Sequence, residues 1–199
     1  KSIWVVAETT SQGLAHVTLE MLGKVRELTQ FTKSEVVAVL ISSSFDAAVE
    51  ELATQGADRV LTMDNSQLGP VFGRAVGASL AEVVSKENPY AVLFAATADG
   101  RDLASWLAAR LGLGLTGDAM DLEIDAEGRL VQLKPALGGN VVAPILSKTL
   151  PNLVTIRPGL LTPAVSEPGA TATVEQIAAV PSDGPDLRLL KEVFQEDQE

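Results

Sequence analysis

The chain has 199 residues, a formal net charge of −11 and 46% hydrophobic residues, which suits one large globular domain, or one domain with an appendage, that buries a substantial core. The acidity argues against a nucleic-acid partner, because phosphate binding needs clustered Lys and Arg, and the lack of cysteine excludes disulfides, thiolate metal sites and cysteine nucleophiles. No apolar run reaches the length of a membrane span and no signal-like segment opens the sequence, so a soluble, cytoplasmic protein without membrane insertion is expected.

Residues 3–7 read as a first strand. Leu14, Val17, Met21, Val25 and Leu28 then follow a three-four spacing, which predicts an amphipathic helix over 13–30 with Glu20, Lys24 and Glu27 turned outward. A second strand is expected over 36–41, followed by a helix capped by Ser44, carrying Phe45, Ala48, Val49 and Leu52, and closed by Gly56. Residues 59–63 make a third strand and 71–86 a longer helix. The apolar run 91–96 lies between Pro89 and the turn Thr97-Ala98-Asp99-Gly100, as suits a strand covered on both faces. Asp99 is placed to cap the next helix and Asp102 adds a carboxylate to its first turn. Leu103, Leu107 and Leu111, with Trp106 beside them, give that helix one apolar face, and Gly112 ends it.

Four strand-then-helix units in succession predict an α/β fold, a Rossmann-like doubly wound, mostly parallel sheet with helices on both faces. Ligands of such sheets sit at the carboxyl ends of the strands, here the loops 8–13, 42–44, 63–70 and 97–100. The stretch Gly112-Leu113-Gly114-Leu115-Thr116-Gly117 spells G-x-G-x-x-G. It follows a helix and enters a strand, the reverse of what a pyrophosphate-binding fingerprint needs, so it reads as a helix cap and a tight turn.

After Gly117 the period changes. Strands are expected over 119–124 and 130–133 about the turn 125–128, and over 141–146 and 153–156, together an added C-terminal β-hairpin and strand extension along the sheet's edge. Between two of these strands Gly138 and Gly139, followed by Asn140, permit close backbone approach or positive φ. Arg157 ends the last of them before Pro158, and by residue logic it is an ordinary strand-end salt-bridge partner ahead of a partner or ligand contact. From Leu161 onward Pro163, Pro168, Pro181 and Pro185 mark linker chemistry, with one short helix expected over 187–194 before an acidic end.

The catalytic inventory is thin. His16, the one histidine, lies beside an apolar stripe without a nucleophile in motif context. Asp118, Asp121, Glu123 and Asp125 match no calcium loop and read as a solvated strand face, so no metal site is expected. Phosphate-loop and nucleophile-elbow motifs are absent from the sequence.

The stretches AATADGRDLASWLAARLGLGLTGD, GRLVQLKPALGGNVVAPI and LVTIRPG, in that order and spacing, resemble the N-terminal domain of the alpha (large) subunit of electron transfer flavoproteins. The resemblance covers roughly residues 3–163 and departs from the family's usual pattern at Ser105, Trp106 and Pro144. It implies a Rossmann-like domain over 1–162 and, over 163–199, a Pro/Gly-rich linker and short acidic helix leading to an FAD domain outside this chain. It further implies a scaffold that docks a beta subunit in an FAD-dependent heterodimer, one carrying electrons from flavin-containing dehydrogenases to an acceptor oxidoreductase. Such a subunit is an electron carrier, not an autonomous enzyme. The FAD is then held mainly by the C-terminal domain, and the beta subunit can take AMP or a second FAD. By matching motif position, Gly100, Arg101, Asp102, Gly138, Gly139 and Asn140 are expected at the partner interface, and Arg157 at a flavin edge.

Two rival readings carry other tests. A stand-alone adenine-nucleotide-binding domain of the universal-stress-protein type shares the general fold but needs a Gly-rich phosphate loop between a late strand and its helix, and Gly138-Gly139-Asn140 joins two strands instead. A small-molecule enzyme using residues 42–44 or Asp99 lacks a visible base partner.

Overall fold

The computed structural model describes residues 1–64, 74–180, 190, 191 and 193. The strand-end loop at 65–70, the start of the third helix at 71–73 and, isolated positions aside, the expected helix over 187–194 lie outside the described residues.

Runs of β-branched and apolar residues bounded by turn chemistry form the strands β1 (Ser2–Ala7), β4 (Glu35–Ser42), β5 (Arg59–Asp64) and β6 (Ala91–Ala95), and two very short strands, β2 (Thr9–Thr10) and β3 (Gly13–Leu14), form a small hairpin after β1. Helices α1 (His16–Thr32), α2 (Asp46–Thr54), α3 (Arg74–Glu87) and α4 (Ala98–Leu111) alternate with the long strands. The later chain supplies β7 (Leu115–Ala119), β8 (Asp121–Ile124), β9 (Leu130–Ala136), β10 (Val141–Leu146), β11 (Asn152–Ile156) and β12 (Thr173–Gln176).

Seven strands make one sheet in the order β12-β5-β4-β1-β6-β11-β7, and every neighbouring pair is parallel. Alternate side chains enter different cores. Ile3, Val5 and Ala7 pack with Met21, Leu22 and Val25 of α1 and Leu52 of α2, whereas Trp4 and Val6 pack with Leu80 of α3 and Leu107 of α4. The sheet is therefore covered on both faces, and each β1 residue from Ile3 to Val5 is fully buried.

Two expectations for the later chain are corrected. Of the stretch 119–146 only Ala119, in β7, lies on the sheet's edge; β8, β9 and β10 form a separate antiparallel sheet, ordered β10-β9-β8. In β8 and the start of β9 alternate residues are buried, which puts Leu122 and Leu130 into the core under α1. The strand β11 also leaves the edge and lies between β6 and β7. All five of its residues are buried, which suits only an interior strand.

The Pro-rich stretch after Leu161, read as a linker, supplies β12, which pairs in parallel with β5 at the opposite edge of the sheet. To reach it the chain straps across α1 and α2. Gly23 permits the crossing, since a Cβ there would lie 2.3 Å from Thr162 O and 2.6 Å from Ala164 N. Glu167 N donates to Thr54 O at 2.8 Å, Thr173 N to Asp58 O at 3.0 Å, and Ile177 N to Thr62 O at 2.7 Å.

Helix α1 departs from its wheel. It starts at His16 because residues 9–14 turn back as the small hairpin, and Glu20 and Lys24, expected outward, are buried. Lys24 Nζ pairs with Glu27 and with Asp121 of β8, each at 2.8 Å, tying α1 to the second sheet. The cap expected from Ser44 is also absent; α2 follows Phe45 without a side-chain cap, and Ser44 N donates to Ser42 Oγ instead.

Candidate functional site

The winding of the sheet fixes where a site can form. The chain runs outward from β1 through β4 to β5, then returns to β6 on the other side of β1, so a topological switch point lies at the carboxyl ends of β1 and β6. Glu8 follows β1 there and Thr97 follows β6.

These two close on each other. Thr97 Oγ1 donates to Glu8 Oε1 at 2.6 Å and accepts from Gly100 N at 3.0 Å, which makes Thr97, not Asp99, the cap of α4; Asp99 lies in the first turn. Gly100 is needed by contact: a Cβ there would lie 2.1 Å from Ala95 O and 3.0 Å from Glu8 Oε1. Burial pushes the Glu8 carboxyl above the ordinary glutamate value, the Thr97 hydrogen bond opposing it and the charge of Asp99 adding to it.

Next to this closed crevice, at the ends of β7 and β11, is a cluster of charge. Asp118 takes a positive φ of 64°, and its amide donates to Thr155 Oγ1 at 2.7 Å while Arg157 N donates to Ala119 O at 2.9 Å. That geometry brings the carboxylate onto Arg157, whose Nε and Nη2 donate to Oδ1 and Oδ2 in a fork. Arg101 Nη2, from the first turn of α4, lies 3.5 Å from Asp118 Oδ1. The Arg157 hydrogen bonds hold the Asp118 carboxyl below the ordinary aspartate range, and the Asp118 carboxylate raises Arg157 in return. Two guanidinium groups thus share one carboxylate at this corner.

The two carboxyls respond to pH in opposite senses. Asp118 has a lowered value in the folded state, so its contribution to stability is present above the unfolded value and is lost as pH falls through the folded one. Glu8 has a raised value, so its contribution is present below the unfolded value and is lost as pH rises through the folded one. Unfolding of Asp118→Asn measured against pH should therefore lose the acid-side decline due to Asp118, and Glu8→Gln should flatten the decline between the unfolded and folded Glu8 values. Curves parallel to the parent's across both windows would contradict the assignments.

The residues singled out from sequence separate into two places. Arg101 and Arg157 meet at Asp118, with Gly100 at the adjoining helix start, and Asp102 is exposed on α4 beside them. Gly138, Gly139 and Asn140 lie in the exposed turn between β9 and β10, with positive φ at Gly138 (72°) and Gly139 (91°), and Asn140 Nδ2 donates back to Leu137 O at 3.2 Å. The adjoining strand β10 is the outer strand of its sheet, and Val141, Val142 and Leu146 on it, with Leu137 in the turn, are exposed.

Sequence reasoning missed Glu8 and Thr97 as a pair, because the contact spans 89 positions. A readable signal existed: an acidic residue directly after one central strand and a hydroxyl directly after the next. The acidic run after Gly117 is dispersed among separate cations, Asp118 with Arg157, Asp121 with Lys24 and Asp125 with Arg129. Among the described residues no group of acidic residues and histidine is arranged to hold a metal ion, and no helix is long and apolar enough to cross a membrane.

A family model described as the electron transfer flavoprotein domain matches residues 3–182. The chain is 38% identical over 162 residues to an electron transfer flavoprotein subunit alpha of Clostridium acetobutylicum, a match covering 80% of this chain and 48% of the relative. It is 34% identical over 185 residues to the corresponding subunit of Megasphaera elsdenii, covering 92% of this chain and 55% of the relative. A subunit of a lactate dehydrogenase (NAD(+),ferredoxin), LctC, of Acetobacterium woodii is 36% identical over 148 residues, which is 73% of this chain and 35% of that protein. The chain thus spans about half the length of the alpha subunits it matches.

Proposed function

Because the chain belongs to the electron transfer flavoprotein domain family, we propose that it is the N-terminal domain of an alpha subunit that docks a beta subunit and offers a charged corner to a flavin held elsewhere in the complex. The Rossmann-like scaffold of residues 1–162 is completed by β12 from the stretch 163–199, and that stretch leads toward a further domain that holds FAD. The whole is a cytoplasmic electron carrier, not an autonomous enzyme, that takes electrons from flavin-containing dehydrogenases and passes them to an acceptor oxidoreductase. AMP or a second FAD belongs to the beta subunit.

The observation that carries the docking reading is β10. An outer strand with three exposed branched apolar side chains is the kind of surface a soluble protein covers with a partner. Pro144 in its middle lacks an amide donor, which discourages indiscriminate strand addition. Gly138, Gly139 and Asn140 shape the turn at its head and would meet the beta subunit together with it; Gly100, Arg101 and Asp102 form the second contact region.

The donor set at Arg157 suits a flavin edge. Asp118 engages Nε and Nη2, and Nη1 has no partner among the described residues. A guanidinium so oriented can donate to the carbonyl edge of an isoalloxazine ring and oppose the negative charge that reduction places there. FAD supplies the electron-accepting chemistry when bound. This chain's part is to hold the guanidinium in place through Asp118 and to present Arg101 beside it.

The universal-stress-protein reading is not favoured. In such a site a phosphate lies at a helix N-terminus by the switch point, and here the Glu8 carboxylate and the Gly100 contact with Ala95 O fill that position.

Val142→Asp in the alpha subunit tests the docking surface. Affinity for the beta subunit should fall by at least about 30-fold, the effect of losing a buried apolar anchor of about 2 kcal/mol. Val174→Asp, on the far-edge strand β12, should leave it unchanged. Equal affinities for Val142→Asp and the parent would remove β10 from the interface.

A further inference from the structure

Glu20 is the least expected charge in the fold. It is 1% exposed, although Lys24 one turn further along α1 pairs elsewhere, with Glu27 and Asp121, and among the described residues Glu20 makes no ion pair with lysine or arginine. Its carboxylate is instead held by three consecutive backbone amides: Gly159 N lies 3.0 Å from each oxygen, Leu160 N 3.2 Å and Leu161 N 3.1 Å from Oε2. His16 Nε2 lies 3.4 Å from Oε1 at the surface. A run of amides converging on one anion is a nest, normally the receptor of a phosphate or sulfate; here α1 fills it from within.

We propose that Glu20 is a positioning residue for Arg157, an inference that rests on the reading of Arg157 as the guanidinium facing the flavin. The nest begins two residues after Arg157. Between them Pro158 has a fixed φ, and Gly159 takes a positive φ of 84° that brings the three amides to one side. The turn is thereby clamped at one end by Glu20 and at the other by the Arg157 N–Ala119 O bond. The Arg157 side chain leaves the backbone between these two clamps, so its reach to Asp118 is set by both. A buried charge is costly without hydrogen bonds, and removing its charge leaves three amides facing a weaker acceptor. The turn then relaxes and the guanidinium moves with it.

The reduction potential of FAD in the complete alpha–beta complex reads this directly, since a stabilising role confined to α1 would leave it unmoved. Arg157→Ala should lower the potential, because a positive charge leaves the flavin edge. Glu20→Gln should lower it in the same direction by a smaller shift, and should add nothing in the Arg157→Ala background. Should Glu20→Gln fail to fold, Glu20→Asp keeps the charge but shortens the reach and should give an intermediate shift. A shift from Arg157→Ala without one from the Glu20 variants would overturn the positioning role and leave the flavin-edge reading intact. Equal Glu20 shifts in both backgrounds would overturn it as well, since Glu20 would then act independently of Arg157. No shift from Arg157→Ala would overturn both.

Discussion

Gly100→Ala is expected to destabilise the domain by about 3 kcal/mol, the upper end of the range for forcing one carbon into a packed site. The added Cβ would lie 2.1 Å from Ala95 O and 3.0 Å from Glu8 Oε1. The first of these is a backbone oxygen at the end of the central strand β6, which cannot swing aside as a side chain would. Helix α4 must then back away from the sheet, which weakens the Gly100 N–Thr97 Oγ1 cap and carries Arg101 away from Asp118. Gly112→Ala provides the contrast. Gly112 has a positive φ of 66° with no atom within 4 Å of the added carbon, so the cost is the backbone term alone, about 1 kcal/mol. Denaturant unfolding of the two variants side by side measures the difference; equal losses would show that the approach of Gly100 to β6 is not what fixes α4.

Arg59→Met is expected to cost about 2 kcal/mol, below the range for breaking a fully buried pair because the carboxylates around it remain partly hydrated. The Arg59 side chain is 14% exposed and lies among three carboxylates: Nη1 is 3.2 Å from Glu87 Oε1 and 3.4 Å from Glu175 Oε2, and Nε is 3.5 Å from Glu35 Oε1. These belong to the end of α3, to β12 and to β4, so one guanidinium joins three elements to β5. Methionine keeps much of the volume and leaves three like charges facing one another. The loss should therefore shrink as salt is raised, because screening reduces that repulsion. It should also loosen β12, and amide exchange there should quicken more than in β1. A penalty independent of salt would mean that Arg59 acts by packing, not by charge.

The parts of this architecture set by local pattern were readable in the sequence. Apolar runs at 3–7, 36–41, 59–63 and 91–96 became the parallel strands, and Gly112, Gly138 and Gly139 took the left-handed conformations that turn geometry asked of them. What escaped depended on distant partners. Nothing within Asn152–Ile156 says that it will pair between β6 and β7; only burial on both faces, supplied by strands far along the chain, decides it. Thr173–Gln176 is four exposed residues in Pro- and Gly-rich surroundings and becomes a strand because β5 offers an unpaired edge. Glu20 was assigned to solvent by its charge and its place on the helical wheel, while the amides that bury it come from 139 positions later. For the candidate site the same division holds. Arg157 stands out as a strand-end arginine ahead of a proline and Arg101 only by its place in the family motif, whereas Asp118 as their common acceptor needed the positive φ that turns its carboxylate toward them.

Light scattering during size-exclusion chromatography of this chain mixed with an electron transfer flavoprotein beta subunit reads the mass of the assembly. One species of the mass of a one-to-one complex is expected, lost with Val142→Asp and kept with Val174→Asp. Separate elution of the two proteins at micromolar concentration would contradict it.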